Sequence, residues 1–191
     1  MVKIAVLASG SGSNAERLIR HFAGHAHGQV IVVGCDRPDA GVLQRAWELG
    51  TPTFLFTSKE LREGRVRKEL EQLGVDLIIL AGFLRLIPDD LVHAFPGRIV
   101  NIHPALLPKF GGKGMYGRHV HEAVLAAGEP ESGITVHLVN EHYDEGEHLF
   151  QARCPVLPDD TPDSLAVRIH ELEHRHYPQV VEKLAEALAG R

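Results

Sequence analysis

Short apolar runs alternate with amphipathic stretches along this chain, and the alternation predicts strands separated by helices. Strands are predicted at residues 3–8, 29–34, 53–56, 76–81, 98–102, 133–139 and 149–156. Helices are predicted at residues 13–22, 40–49, 59–73, 88–95 and 119–127, and from Pro162 towards Arg191 with an interruption at Tyr177–Pro178. We expect Ser13 or Asn14 to cap the first helix.

The first five apolar runs are almost free of polar residues, which is typical of a parallel sheet covered on both faces. The last two runs are joined by a few polar residues, which favours an antiparallel pair. The predicted class is α/β, with a long C-terminal helix. Since no linker divides the 191 residues, we expect a single domain over residues 1–191 with two halves, 1–100 and 101–191.

The stretch Asn101–Pro108 follows a short buried strand and carries an amide and an imidazole at the strand's carboxyl end. Alternation along an extended chain puts Asn101 and His103 on one face. Ligands bind at such strand ends in open α/β sheets, and this pair can stabilise an oxyanion and move a proton. The alternative is that Asn101 only ends the strand and His103 is a structural histidine.

A glycine-rich turn, Ser9–Asn14, joins the first strand to the first helix. Free N–H groups at such a turn attract an anion, and Ser11, Ser13 and Asn14 add donors suited to a terminal phosphate. With Ala15 the turn also fits a dinucleotide-binding fingerprint, for which Asp36 would be the ribose ligand. A tight turn without any ligand is the third interpretation.

Two further loops are candidates for the walls of a pocket. The apolar loop Gly82–Pro88 could border a flat aromatic ligand or pack on the core. Residues 109–117 hold four glycines and are predicted to form a mobile loop. Asp144 lies in a predicted turn, where aspartate usually makes only local hydrogen bonds.

Composition narrows the function classes. The net charge is −5 without a basic stripe, which argues against nucleic-acid binding. Cys35 and Cys154 are far apart and fit buried thiols in a reducing compartment. No signal peptide or membrane span is apparent, so we expect a soluble, cytoplasmic protein without a membrane partner. The thirteen histidines include three His-x-His pairs but no recognised zinc spacing, so no metal is expected.

Four motifs taken together carry a resemblance to a known family: Ser-Gly-Ser-Gly-Ser-Asn at 9–14, Ala-Gly-Phe-Leu-Arg at 81–85, Asn-Ile-His-Pro-Ala-Leu-Leu-Pro at 101–108 and Tyr-Asp-Glu-Gly at 143–146. The chain resembles the glycinamide ribonucleotide formyltransferases, over essentially its whole length. The resemblance implies a Rossmann-like, mostly parallel sheet with helices on both faces. It also implies a phosphate-binding half at residues 1–100 and a catalytic and folate-binding half at 101–191.

The resemblance implies a role for each matching residue. The catalytic residues would be Asn101, His103 and Asp144, and the ribonucleotide ligands would be Gly12, Ser13, Asn14 and Glu173. The folate ligands would be Lys59, Leu84, Arg85, Leu86, Ile87, Asn101, Asn140, Glu141 and Tyr143. Lys59 stands near the position of a family arginine that meets the folate carboxylates, and Arg62 is a possible substitute. The Leu107–Pro108 bond is expected to be cis, as in relatives.

The activity implied is formyl transfer from the co-substrate 10-formyltetrahydrofolate to the amine of glycinamide ribonucleotide in de novo purine synthesis. Asn101 and His103 would stabilise the oxyanion, while Asp144 would keep His103 protonated. The partners would be small molecules, and the protein a monomer or homodimer. Rival hypotheses are a formyltetrahydrofolate hydrolase, another amine formyltransferase such as the methionyl-tRNA enzyme, and an NAD-binding oxidoreductase.

Overall fold

A computed structural model of the chain describes residues 1–190, and these form one seven-stranded sheet flanked by seven helices. The strands are β1 (Val2–Ala8), β2 (Gly28–Cys35), β3 (Thr53–Leu55), β4 (Leu77–Leu80), β5 (Ile99–His103), β6 (Glu131–Leu138) and β7 (His148–Pro155). The helices are α1 (Ser13–His21), α2 (Gly41–Glu48), α3 (Ser58–Arg62), α4 (Arg65–Gln72), α5 (Asp89–Ala94), α6 (Arg118–Ala126) and α7 (Pro162–Ala189). Arg191 lies outside the described residues.

The order of the strands creates a crevice at the centre of the sheet. The order is β3-β2-β1-β4-β5-β6-β7, and the first five of these pair in parallel. The chain runs from β1 outward to β3 and then returns to β4 on the other side of β1. Ligands bind at the carboxyl ends of the strands where the order reverses in this way. The turns after β1 and β4 therefore lie side by side at the expected site.

Beyond β5 the sheet becomes antiparallel, since β6 pairs antiparallel with both β5 and β7. The predicted α/β class, the mostly parallel sheet and the antiparallel strand pair are confirmed. The register places Asn101 opposite His137 and His103 opposite Thr135. The antiparallel pairing of β5 with β6 was not predicted, and it brings side chains of β6 next to Asn101 and His103.

Both faces of the sheet are buried, which explains why the central strands are apolar throughout. Along β4, Leu77 and Ile79 pack into one hydrophobic cluster, whereas Ile78 and Leu80 pack into the other. The first cluster includes residues of α1, α2, α6 and α7, and the second includes residues of α3, α4 and α5. Alternate residues of one strand thus face opposite helical layers.

The predicted helix 59–73 is wrong in one respect, because two helices occupy this stretch. Thr57 caps α3 in a capping box with Glu60. Gly64 then adopts a left-handed conformation, with φ of 77°, and α4 begins after it. A residue in that conformation cannot continue an α-helix, and glycine adopts it without a steric penalty.

The predicted interruption at Tyr177–Pro178 is also wrong, since α7 runs through Pro178 without a break. Tyr177 is fully buried, and its hydroxyl donates to the carbonyl oxygens of Leu80 (2.9 Å) and Val100 (3.2 Å). This anchoring of the helix to β4 and β5 offsets the hydrogen bond that proline cannot donate. No helix among residues 1–190 is both long enough and apolar enough to cross a membrane.

Candidate active site

A cleft of about 610 Å³ opens at the carboxyl ends of the central strands. This is within the ~300–1,000 Å³ usual for small-molecule sites. Its lining includes residues 10–14 after β1, 80–87 at and after β4, 101–104 at the end of β5, and 112–118 from the glycine-rich loop. Three of the four motifs singled out in the sequence therefore meet here, and Tyr143 and Asp144 bring in the fourth.

Asn101, His103 and Asp144 lie together in this cleft. Asp144 Oδ2 is 3.5 Å from His103 Nδ1, and Asp144 Oδ1 is 3.4 Å from Asn101 Nδ2. His103 is buried, and only 9% of the Asp144 side chain is exposed. Both separations are at the long end of hydrogen-bonding distance, so the three groups are adjacent but not tightly bonded.

The glycine-rich loop contacts two of these three side chains. The Phe110 carbonyl oxygen lies 2.7 Å from His103 Nε2, so this nitrogen carries the proton that it donates. The Gly112 N–H donates to Asp144 Oδ2 at 2.9 Å. The loop begins after a cis Leu107–Pro108 bond, as predicted. In this arrangement the loop holds His103 and Asp144 in place.

The arrangement of the cleft does not by itself favour the charged form of His103 that was expected near neutral pH. Burial lowers the pKa of His103, and this effect outweighs the opposite influences of Asp144 and the Phe110 carbonyl. Burial also pushes the pKa of Asp144 upward, but hydrogen bonding by His137 and by the Gly112 N–H brings it below the usual value. The imidazole is therefore mainly neutral beside an ionised carboxylate.

His137 is a site residue that the sequence reasoning missed. Its Nδ1 lies 2.7 Å from the Leu138 carbonyl oxygen and must donate there. Its Nε2 lies 3.2 Å from Asn101 Nδ2 and 3.5 Å from Asp144 Oδ1. Nothing in the sequence of β6 alone indicates that His137 faces the cleft, because its position follows from the pairing of β6 with β5.

The turn after β1 forms one end of the cleft. Gly12, not Ser13 or Asn14, precedes α1 as its cap, with φ of 80° and no side-chain hydrogen bond. A Cβ at Gly12 would come within 2.5 Å of Val42, so both conformation and space require glycine. The predicted cap is thus wrong, and the side chains of Ser13 and Asn14 line the cleft.

Glu173 reaches the same end of the cleft from α7. Its Oε2 accepts from Asn14 Nδ2 at 2.8 Å and from His170 Nδ1 at 2.9 Å. The hydrogen bond to Glu173 raises the pKa of His170. Asn14 Oδ1 is buried and has no partner among the described residues. A buried carboxylate and an unpaired amide oxygen at one spot are suited to ligand hydroxyl or amine groups. His121, also buried in the lining, was another residue not predicted.

The apolar loop after β4 forms the opposite wall. The four predicted residues Leu84, Arg85, Leu86 and Ile87 all line the cleft, together with Asn140 and Tyr143. Glu141 and Lys59 are not in the lining. Glu141 lies 3.2 Å from His93, and the Lys59 ammonium is exposed, 3.7 Å from Glu63.

The acidic residue of the dinucleotide-binding fingerprint, Asp36, is not available to a ligand in the cleft. Asp36 Oδ2 accepts from Arg85 Nε at 2.7 Å, and the Asp36 side chain is fully buried. It is also absent from the lining of the cleft. One oxygen of this carboxylate is bonded to Arg85 and the group lies outside the cleft, so it is not placed to bind a ribose there.

Comparison with known proteins gives the class of this fold and site. The sequence pattern of the formyl transferase family matches residues 2–181. The chain belongs to the formyl transferase family.

Comparison with individual members of the family is more specific than the match to the family as a whole. The chain is 38% identical to "Phosphoribosylglycinamide formyltransferase" of Bacillus subtilis (strain 168), over 96% of this chain and 95% of that protein. It is 44% identical to the chloroplastic protein of the same name from Arabidopsis thaliana, but spans 65% of that protein's length. The crystal structure of phosphoribosylglycinamide formyltransferase from Streptococcus pneumoniae TIGR4 superposes with a TM-score of 0.86 at 42% identity, covering 96% of this chain and 99% of that one.

Proposed function

We propose that the chain transfers the formyl group of 10-formyltetrahydrofolate to the amine of glycinamide ribonucleotide, a step of de novo purine synthesis. One observation supports this most. The Asn101, His103 and Asp144 group, a glycine-rich turn suited to phosphate and the apolar loop after β4 all line the same cleft. The names of the relatives supply the substrate and reaction that suit these three parts.

In the proposed reaction the ribonucleotide amine attacks the formyl carbon. A C–N bond forms, the carbonyl oxygen becomes an oxyanion, and the bond to the folate nitrogen then breaks. The Asn101 amide and a His103 N–H stabilise the oxyanion, and one such donor is typically worth about 3–4 kcal/mol of barrier. Asp144 accepts the amine's proton, directly or through water, and the proton ends on the leaving folate nitrogen.

The proposal requires the glycine-rich loop to move. His103 Nε2 is occupied by the Phe110 carbonyl, and Nδ1 faces Asp144. Withdrawal of Phe110 frees a donor, and a developing oxyanion beside the ring raises its pKa because opposite charges attract. We therefore assign the loop the role of a lid whose position controls the charge of His103.

Substrate contacts follow from the two ends of the cleft. The Gly12, Ser13 and Asn14 turn would take the ribonucleotide phosphate, with Glu173 on a polar group of the same substrate. Leu84–Ile87 and the backbone near Asn140 would hold the pterin. The role of Lys59 or Arg62 at the folate carboxylates stays a prediction. Both substrates thus contact both halves of the chain.

The test is a formyl-transfer assay that follows deformylated folate by absorbance, with and without glycinamide ribonucleotide. We expect turnover only when the ribonucleotide is present, and formylated ribonucleotide as the product. Folate release without the ribonucleotide would identify a hydrolase and overturn the proposal. Failure with glycinamide ribonucleotide but turnover with another amine would keep the chemistry and change the acceptor.

A further inference from the structure

A second cluster of titratable side chains lies outside the cleft, where the end of α1 meets α7. His21 Nε2 is 3.0 Å from Glu182 Oε2, and His25 Nε2 is 2.9 Å from Glu182 Oε1. None of the three residues lines the cleft. His21 is about 10 Å along α1 from Asn14, at ~1.5 Å per residue. The proposed reaction therefore does not use this cluster.

The three side chains have the composition and spacing of a metal site. Their ligand atoms all lie within 4.8 Å of one another. Two imidazoles and one glutamate form a recognised zinc ligand set, and tetrahedral bonds of ~2.0–2.1 Å put neighbouring ligand atoms about 3.3 Å apart. The two nitrogen–oxygen separations would each widen by a few tenths of an ångström, and the two imidazoles, which now contact different oxygens of Glu182, would converge on one ion. The side chains are between 19% and 30% exposed, so an ion has a path from solvent.

Neighbouring rings orient the two imidazoles. The rings of His21 and His25 stack with centroids 5.9 Å apart, and Phe22 meets both edge-on at 5.1 and 5.2 Å. Aromatic contacts of this kind fix ring positions before a ligand arrives. One contact opposes binding. The His27 N–H lies 3.3 Å from His25 Nδ1, which must carry the proton once Nε2 binds a metal. His27 is exposed in a turn, so this weak contact can be released.

We propose that His21, His25 and Glu182 bind a divalent transition-metal ion, Zn²⁺ in particular, with water at the fourth position. Imidazole nitrogens favour such ions over Mg²⁺ or Ca²⁺. The ion would join α1 to α7 across 161 positions of the chain between His21 and Glu182. This long separation is also why sequence spacing did not indicate the site. The unfolded chain cannot assemble these ligands in the same way, so binding stabilises the fold.

The experiment uses untagged, chelator-treated protein titrated with Zn²⁺ in competition with a chromophoric chelator. We expect one ion per chain, and a melting temperature raised by about 5–10 °C at a hundredfold excess over Kd. Co²⁺ should give the intense visible absorption of a tetrahedral site. Glu182→Gln and His25→Gln should each weaken Zn²⁺ binding at least about 100-fold. His93→Gln, at an exposed histidine on α5, is the matched control and should bind like the parent.

The proposal is overturned if the parent binds less than one ion per chain, or if Glu182→Gln retains the parent's affinity. Loss of binding in His93→Gln would also overturn it, because the ion would then lie elsewhere. Glu182→Gln keeps the size of the side chain, so a folded variant is expected, and far-ultraviolet circular dichroism verifies this. The formyl-transfer assay is independent of all these outcomes.

Discussion

Replacing Asp144 by Asn tests whether a negative charge beside His103 drives the proposed reaction. Asp144 has a left-handed backbone with φ of 57°, a conformation that asparagine also tolerates. The exchange keeps size and backbone geometry and removes the charge. It therefore separates the electrostatic role of Asp144 from its structural one.

The magnitude follows from the distance. Two unit charges 3.5 Å apart interact by about 5 kcal/mol at an effective dielectric constant of ~20. Without that attraction the effect of burial on His103 is opposed only by weaker influences such as the Phe110 carbonyl, and the pKa of His103 falls further. Loss of about 5 kcal/mol would reduce the protonated fraction by roughly three to four orders of magnitude. We expect kcat to fall by about 10³-fold, with little change in either KM.

The assay is steady-state formyl transfer at several pH values, with Glu145→Gln as the control. Glu145 is the exposed neighbour of Asp144 and loses the same charge. Its variant should retain the parent's rate. An Asp144→Asn enzyme within tenfold of the parent at neutral pH would refute the electrostatic argument. A rise in KM with unchanged kcat would point instead to a role in binding.

Three other substitutions test separate parts of the structure. Gly12→Ala forces a Cβ within 2.5 Å of Val42 and should lower the free energy of unfolding in urea by about 1–3 kcal/mol, whereas an unchanged midpoint would contradict the packing. Ser13→Ala should raise the KM for ribonucleotide about tenfold and leave that for folate unchanged; equal effects would dismiss the phosphate site. The Arg168 ion pair lowers the pKa of Asp160 from 3.8 to about 2, so its stabilisation is present above pH 3.8 and is lost as pH falls towards 2. Asp160→Asn should flatten the acid branch of thermal stability over that window, and an unaltered branch would show that the pair contributes nothing.

The sheet was predictable because parallel strands that are buried on both faces have continuous apolar sequences. The run at residues 76–81 has no apolar alternation, and β4 is indeed covered on both faces. Helix ends were less predictable. Nothing local to Pro178 indicates that Tyr177 anchors α7 to two strands, and Gly64 resembles any helical glycine until its backbone angle is known. Tertiary contacts decided both cases.

The residues of the candidate site also differ in how far the sequence could predict them. Asn101 and His103 share a face of one strand, so alternation alone placed them together. Asp144 came from family resemblance, since its proximity to His103 depends on a loop after β6. His137 was not predicted because neither strand's sequence indicates the register in which β5 and β6 pair. The lowering effect of burial on the His103 pKa was not predicted, because the depth of a side chain cannot be derived from a motif.

The hydrogen bond between Asn14 and Glu173 has a consequence for how the molecule is made. It joins residues 159 positions apart, and α7 is the last element of the described chain. During synthesis the phosphate turn emerges first, yet its carboxylate neighbour emerges only after all seven strands. A chain whose synthesis has reached only β7 therefore contains the sequence positions of Asn101, His103 and Asp144 but lacks Glu173. Among the described elements, the proposed ribonucleotide pocket is therefore completed only when α7 is added, so a chain lacking α7 cannot bind that substrate in full.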